Sequence, residues 1–187
     1  NRDAVKNAGF IVLCVRPKDI KKVVHEIKSM VNKSQLIISV AACVPLSLLN
    51  AYFEKENILQ IIRIIPNIPV AFNRGVIGWI RNERVNPKLL NDFRKLFSSL
   101  GLLIQCKNDE GLEKLSLVAG CGIGYVAYFM NNLAKVAQKY GFNEEEALKI
   151  AQTVFSGTIQ QLQIANQTPE ALISAVSTKG GITEEVL

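Results

Sequence analysis

The sequence has little of what metal centres, disulfide frameworks and hydrolytic catalysts require. It holds one histidine and four cysteines, and no two of the cysteines are close together in the chain. Metal centres need clustered histidine, cysteine or carboxylate ligands, and small secreted scaffolds need pairs of cysteines. The single histidine, His25, stands among lysines in a helical pattern, which indicates a surface position. We therefore expect no metal, no Ser/His/Asp or Cys/His catalysis, and a reducing, cytoplasmic location.

Blocks of like charge and long hydrophobic runs are also missing. The 22 Lys and Arg residues exceed the 16 Asp and Glu residues, for a net charge of +6, but no block of five like charges occurs. Because no basic stripe is interleaved with aromatic residues, we expect no nucleic-acid partner. The most apolar runs, at 10–15, 36–42 and 59–65, are shorter than the roughly 20 residues that cross a bilayer. We therefore also expect no membrane-spanning segment.

What is present is an apolar sequence, 49% hydrophobic over 187 residues, in which short β-branched runs alternate with amphipathic patterns. The runs at 10–15, 36–40 and 59–65 are typical of strands covered on both faces by helices. Helical patterns that each begin with a proline separate these runs. This order predicts α/β structure, with βαβ units and a parallel sheet over residues 1–108. Further elements of the same layer are predicted at 75–80, 87–100 and 102–105.

The second part of the chain has a different pattern. Strand signals stop after Asn108, and residues 109–187 carry only helical periods, which predicts a separate all-helical domain. Its helices are predicted at 113–118, 125–140, 144–164 and 169–176. The second of these helices carries an apolar stripe formed by Tyr125, Phe129, Leu133, Val136 and Tyr140. A helical domain this small needs a partner to cover such a stripe, so we expect a homodimer through 109–187.

A glycine-rich phosphate turn is absent from the start of the predicted sheet. Doubly wound sheets normally carry a G-x-G-x-x-G turn in their first βαβ unit, and no such turn precedes Phe10. A βαβ unit takes roughly 30 residues or more. We therefore expect that this chain begins after the first unit of its sheet.

Three loops follow predicted strands, at the place where open α/β sheets bind ligands. They contain Cys14, Val15, Arg16 and Pro17, then Ala41 and Ala42, then Pro66 and Asn67. The cation of Arg16 suits a phosphate or ribose, although a solvated arginine after a strand is common. The two alanines allow a flat ring to approach the backbone, or allow tight helix packing. The prolines that bracket Asn67 make a stiff loop, which suits holding a carboxamide or forms a plain rigid turn.

Two glycine-containing segments in the helical part are candidate ligand sites. Residues 119–125 carry three glycines at alternate positions just before a long helix, which permits close approach of a backbone or a ligand. Residues 177–183 lead directly into a helix start. Backbone N–H groups there, with the hydroxyls of Thr178 and Thr183, form a possible anion cradle. Simple capping of the helix by Thr183 is the alternative.

Taken together, segments 12–19, 39–43, 63–69, 119–125 and 178–183 resemble pyrroline-5-carboxylate reductase in their order and spacing. The R-x-x-P-N-x-P loop and the late Gly-Gly-x-Thr loop make the resemblance specific. It implies a partial Rossmann-like dinucleotide domain that lacks its first unit, followed by an all-helical dimerisation domain with interleaved helices. The implied reaction is hydride transfer from NADPH or NADH to the C=N carbon of 1-pyrroline-5-carboxylate, which yields proline.

The resemblance also implies roles for individual residues. The implied cofactor-binding residues are Cys14, Val15, Arg16, Pro17, Ala41, Ala42, Pro66 and Asn67. The implied substrate-binding residues are Thr178, Lys179, Gly180, Gly181, Ile182 and Cys121. A hydroxyl from Thr183, or a water, would stand near the imine nitrogen as the catalytic group.

The substrate side departs from the family pattern. Residues 119–125 read Ala-Gly-Cys-Gly-Ile-Gly-Tyr where the family has Ser-Gly-Ser-Gly-Pro-Ala-Tyr, and Lys179 replaces a proline. One hypothesis is a divergent reductase in which Lys179 binds the substrate carboxylate. A second is a changed substrate, such as another small cyclic imine or a 2-oxoacid. A catalytically silent dimerisation module is the non-enzymatic alternative.

Overall fold

The computed structural model describes residues 1–54 and 59–181, together with Thr183 and Glu185, in two compact units, Asn1–Ile123 and Gly124–Leu187. The strands are β1 (Phe10–Leu13), β2 (Leu36–Ser39), β3 (Gln60–Pro66), β4 (Gly75–Arg81) and β5 (Gly101–Gln105). The helices of the first unit are α1 (Arg2–Val5), α2 (Pro17–Ile27), α3 (Leu46–Phe53), α4 (Pro87–Ser98) and α5 (Asp109–Ser116). The remaining helices are α6 (Gly122–Lys139), α7 (Glu144–Ile164) and α8 (Pro169–Val176).

The five strands form one sheet in the order β1-β2-β3-β4-β5. The first three strands are parallel, with Leu13, Ser39 and Arg63 side by side in register. Helices α2 and α3 connect them, because parallel strands require a crossover connection, usually a helix. The predicted α/β order and parallel pairing are therefore confirmed for β1 to β3.

Strand β4 departs from the parallel sheet that the sequence predicts. It pairs antiparallel with β3, and β5 then pairs parallel with β4 through the crossover helix α4. The reason lies in the connection, because residues 67–74 hold only a 3₁₀ turn at Ile68–Phe72. A parallel connection needs a dozen or more residues, whereas a short one reverses the chain. The sheet is therefore mostly parallel, with its last two strands reversed.

Both faces of the sheet are buried, which explains the continuous apolar runs of the strands. On one face, strand residues such as Ile37 and Ile61 pack with α2 and α3. On the other face, Ile62 and Ile64 pack with Trp79 and with residues of α4. Alternate strand side chains point to opposite faces, so a strand that is covered twice must be apolar throughout.

Helix α5 lies directly on the sheet at Gly78. A side chain at this position would place its first carbon 2.7 Å from Cδ1 of Leu112 and 2.9 Å from Cδ2 of Leu115. The missing side chain therefore lets the helix approach β4 closely. The helical region begins at Asp109, and the packing of α5 carries the first compact unit as far as Ile123.

The second unit buries little of its apolar surface within a single chain. Among its described residues, the buried ones are small, namely Ala134, Ala137, Ala147 and Ala151. The predicted helix stop and cap before α7 are present, because Gly141 has a φ of 96° and Asn143 forms a reciprocal capping box with Glu146. The bounds of α7 and α8 match the predicted helices.

One continuous helical stretch, Asp109–Lys139, is long and apolar enough to cross a membrane by length and composition, although almost none of it is buried in the chain. The expectation that no such segment exists is therefore wrong on these two measures. It rested on the strand runs alone, whereas this helix spreads its apolar residues over 31 positions. Length and composition do not distinguish a membrane helix from one that a protein partner covers.

Candidate functional site

The three predicted cofactor loops begin at one edge of the sheet. Strands β1, β2 and β3 are parallel and in register, and their carboxyl ends point the same way. The loops that follow are residues 14–16, residues 40–45 and Asn67, while Pro17 begins α2 and Pro66 ends β3. The structure therefore brings together the residues that the sequence predicts as cofactor-binding, at the edge where open α/β sheets bind ligands.

The first loop ends in the start of α2. Arg16 is the residue that precedes the helix, and Pro17 is its first residue. The side chain of Arg16 is 75% exposed, and its Nε lies 3.2 Å from Oδ2 of Asp19. An exposed pair of this kind contributes little, so the guanidinium can exchange Asp19 for another anion. Cys14 is exposed, and Val15 packs partly against the core.

The second loop follows β2, which ends at a buried serine. Ser39 is fully buried, and its Oγ accepts a hydrogen bond from the backbone N–H of Ala41 at 3.4 Å. Ala41 is buried while Ala42 is exposed, so only the second alanine presents its surface to solvent. Cys43 follows with a φ of 58°, in the left-handed region.

The third loop is held by the side chain of Asn67. Its Oδ1 accepts a hydrogen bond from the N–H of Val76 at 2.8 Å, and its Nδ2 donates to the carbonyl of Ala119 at 3.0 Å. The backbone N–H of Asn67 also donates to the Val76 carbonyl at 3.1 Å. The side-chain amide is therefore engaged within the chain at both ends. The predicted contact of this loop with a carboxamide stays a prediction.

A buried ion-pair cluster lies beside these loops and was not a candidate on sequence grounds. The side chain of Arg63 on β3 is fully buried. Its Nη1 donates to Oδ1 of Asp109 at 2.6 Å, and its Nη2 donates to Oε1 of Glu113. Both carboxylates belong to α5 and are one turn apart on the same face. A buried guanidinium requires such partners, because an uncompensated buried charge is very costly.

The same two carboxylates also reach the loop after β2. Both oxygens of Asp109 accept from the backbone N–H of Leu46 at 3.3 Å. Oε1 of Glu113 accepts from the backbone N–H of Cys43 at 3.4 Å. The cluster thus connects β3, the loop that carries the two alanines, and helix α5. Its signal in the sequence is a single arginine inside an otherwise apolar strand run.

The predicted substrate loop forms a tight turn in the second unit. The N–H of Gly181 donates to the carbonyl of Thr178 at 2.8 Å, and Gly180 has a φ of 75°. A side chain at Gly181 would come within 2.6 Å of the Thr178 hydroxyl oxygen, so the turn requires glycine there. Lys179 is exposed. Thr183 is exposed and helical, and Ile182 lies outside the described residues.

The remaining predicted substrate residue, Cys121, belongs to the first unit. It ends a π-helical turn, Leu117–Cys121, that joins α5 to α6, and its side chain is exposed. Turns of this type interrupt α-helices frequently at functional sites. Its role toward a substrate stays a prediction.

Two family models match the chain. Residues 109–187 match the model described as pyrroline-5-carboxylate reductase dimerisation, and residues 1–43 match the model described as NADP oxidoreductase, coenzyme F420-dependent. The start of the mostly parallel sheet is thus similar to an NADP oxidoreductase model, and the helical part is similar to a dimerisation model.

Individual relatives are similar over nearly the whole chain. A pyrroline-5-carboxylate reductase of Pseudomonas aeruginosa is 25% identical over all 187 residues, which cover 68% of that protein. One from Aquifex aeolicus is 27% identical over 96% of the chain and 65% of that protein. The chain thus spans about two thirds of the length of these relatives.

Solved structures give the same result. A pyrroline-5-carboxylate reductase from Coxiella burnetii superposes with a TM-score of 0.89 at 28% identity, covering 99% of this chain and 68% of that one. A Plasmodium falciparum pyrroline carboxylate reductase, solved with NADP bound, has the same fold, with a TM-score of 0.87 at 23% identity over 99% of this chain and 69% of that one. The chain is therefore similar in sequence and in fold to pyrroline-5-carboxylate reductases, the family that its sequence motifs resemble.

Proposed function

We propose that the protein to which this chain belongs reduces 1-pyrroline-5-carboxylate to L-proline with NADPH or NADH, in proline biosynthesis. The observation that carries the proposal is the similarity to a pyrroline-5-carboxylate reductase over all 187 residues. It extends through the strand-end loops of the first unit and the glycine turn of the second. The segments that the resemblance implies for cofactor binding and for substrate binding therefore both have counterparts in this chain.

The residues at the sheet edge fit a nicotinamide dinucleotide. Arg16 stands exposed at the start of α2, where a cation and helical N–H groups favour a phosphate. The small exposed surface of Ala42 and the stiff loop at Pro66 and Asn67 suit the flat ring and its carboxamide. A reduced nicotinamide supplies the hydride. The residues of this chain contribute by holding the nicotinamide ring in one orientation.

The turn at residues 178–181 fits a carboxylate. It carries two exposed residues, Thr178 and Lys179, whose hydroxyl and cation suit a carboxylate. Thr183 places a hydroxyl at the following helix start, where it holds a proton near the imine nitrogen. An imine is readily protonated, so the protein contributes mainly positioning, and a catalytic histidine is not needed.

The helical region supports a homodimer, with higher oligomers built from it. It matches a dimerisation model, and it exposes large apolar side chains such as Phe129 and Tyr140 in a single chain. A second copy covers this surface, including the apolar stretch that would otherwise suit a membrane. All four cysteines are free thiols, and burial raises the pKa of Cys106 above its ordinary value. Free thiols fit the reducing cytoplasm.

The test is oxidation of NADPH and NADH with 1-pyrroline-5-carboxylate by the complete encoded protein, beside the 187-residue chain alone. We expect turnover by the complete protein and weak or no turnover by the shorter chain, which carries no G-x-G-x-x-G phosphate turn. If the protein turns over a different cyclic imine or a 2-oxoacid and does not turn over pyrroline-5-carboxylate, the proposed substrate is wrong and that compound takes its place. If none of these compounds is turned over and the protein still forms a dimer, a dimerisation module without catalytic activity is favoured.

A further inference from the structure

Asn67 makes a three-way connection inside the first unit. Its side-chain oxygen holds the N–H of Val76 at the start of β4, and its side-chain nitrogen holds the carbonyl of Ala119 in the π-helical turn. The residue itself stands at the end of β3, beside Pro66. One side chain therefore joins two strands of the sheet to the turn that leads into α6.

The π-helical turn supplies the backbone carbonyl that accepts the hydrogen bond from the side chain of Asn67. A π turn shifts the helical hydrogen-bond register by one residue, which leaves a carbonyl for a donor from outside the helix. The carbonyl of Ala119 receives that bond from Asn67, at 3.0 Å. A half-buried amide whose two ends are both bonded has one rotamer, so the link is directional.

We propose that Asn67 is a positioning residue, which sets the π-helical turn Leu117–Cys121 against the loop at the end of β3. This proposal rests on the proposed reductase function, in which the loop faces the cofactor and the turn faces the substrate. Asn67 then acts on the reaction through the two backbone segments that it joins. Its side chain does not itself bind the carboxamide, because both ends of the amide are already engaged.

The chain offers a matched control in Asn82. Its Oδ1 accepts from the N–H of Ile61 at 3.2 Å, and its Nδ2 donates to the carbonyl of Leu59 at 2.9 Å. It thus makes the same pair of side-chain bonds to backbone, but at the amino end of β3, away from the site. Asn67→Asp and Asn82→Asp each keep the acceptor and lose the donor. Each variant therefore breaks one short bond to a backbone carbonyl, and Asn82→Asp also loses a longer contact from Nδ2 to Oδ1 of Asn50, at 3.5 Å.

The first measurement compares the two variants in the complete protein. We expect both to lower Tm by a similar few degrees, since each loses one hydrogen bond. Asn67→Asp alone should lower kcat by about tenfold or more and raise KM for pyrroline-5-carboxylate, because a displaced turn misaligns the reactants. The Kd for NADPH, from a fluorescence titration, should stay within about twofold in both. Amide hydrogen exchange in residues 117–121 should rise in Asn67→Asp and stay unchanged in Asn82→Asp.

The second measurement separates positioning from direct recognition of the carboxamide. A reduced cofactor analogue with 3-acetylpyridine in place of nicotinamide lacks the amide NH2. If Asn67 acts by positioning, the ratio of kcat/KM between NADPH and the analogue is the same in the unchanged protein and in Asn67→Asp. A ratio that falls toward one in the variant would show that the side chain contacts the carboxamide, which overturns the proposal.

Two other results would also overturn it. Unchanged exchange in residues 117–121 of Asn67→Asp would show that the bond to Ala119 does not hold the turn. Equal kcat in both variants would show that the link has no part in turnover. If instead the unchanged protein shows no reductase activity, the proposed function fails, and this result is distinct because the exchange measurement needs no turnover.

Discussion

At the scale of single residues, we expect the buried cluster around Arg63 to respond differently to loss of its acids and to loss of its arginine. The guanidinium is fully buried, while the side chains of Asp109 and Glu113 are 33% and 40% exposed. Water can therefore compensate an unpaired carboxylate here but not an unpaired guanidinium. We expect the double variant Asp109→Asn, Glu113→Gln to lower the free energy of unfolding by about 3–5 kcal/mol. Arg63→Met, which removes the buried charge, should cost less than half of that in urea denaturation.

The control for this comparison is an ordinary ion pair on the same helix. Lys114 and Glu110 lie 2.6 Å apart, and both side chains are more than 70% exposed. Lys114→Met should change the unfolding free energy by no more than about 0.5 kcal/mol. If Arg63→Met costs as much as the double variant, the burial of the charge does not dominate this cluster, and the prediction is wrong.

The same cluster shows which part of the site could be predicted. A lone arginine inside the run 59–65 already requires partners, since a buried charge cannot stay unpaired. The sequence does not say which of the 16 acidic residues they are. That choice depends on α5 lying on the sheet at Gly78, a packing contact between segments more than thirty residues apart. Loop positions follow from strand order, whereas side-chain partners follow from packing.

At the scale of elements, strand β5 depends on Gly101, where it starts beside β4. Gly101 has a φ of 141°, and a side chain there would come within 2.0 Å of the carbonyl oxygen of Gly75. The contact is with backbone, so no side-chain rotation relieves it. We expect Gly101→Ala to lower the free energy of unfolding by about 3 kcal/mol or more, from backbone strain and from a displaced strand pair.

Gly9→Ala is the comparison for this change, because no atom lies within 4 Å of a side chain at that position. Its unfolding free energy should stay within about 0.5 kcal/mol of the unchanged protein. Thermal unfolding followed by circular dichroism measures both variants. Equal unfolding midpoints for the two alanine variants would mean that the start of β5 accommodates the side chain without loss of stability, which contradicts the prediction.

Elements were predictable to the extent that their signals are local. Proline starts, apolar periods and the cap at Asn143 are local, and the predicted bounds of α7 and α8 match the structure. The direction of β4 is not written in its own residues, since an apolar strand reads the same in either direction. It follows from the length of the connection at residues 67–74, which is too short for a crossover.

At the scale of the whole molecule, the apolar face of α6 carries the last prediction. Phe129 is 63% exposed in the single chain and stacks edge-on against Tyr128, with ring centroids 6.0 Å apart. An aromatic residue at the centre of an interface typically contributes about 2 kcal/mol or more to association. We therefore expect Phe129→Glu to weaken the homodimer by about thirtyfold or more in sedimentation equilibrium.

Gln138→Glu is the matched control, because it adds the same charge to an exposed polar position of the same helix. It should leave the dimer intact. A monomer in the unchanged protein, together with co-sedimentation on phospholipid vesicles, would mean that a membrane covers the stretch Asp109–Lys139 instead of a second copy. A dimer that resists Phe129→Glu would place the interface on another face. An exposed apolar helix has to be covered in either case. The oligomeric state of the unchanged protein therefore shows whether a second copy or a membrane covers it.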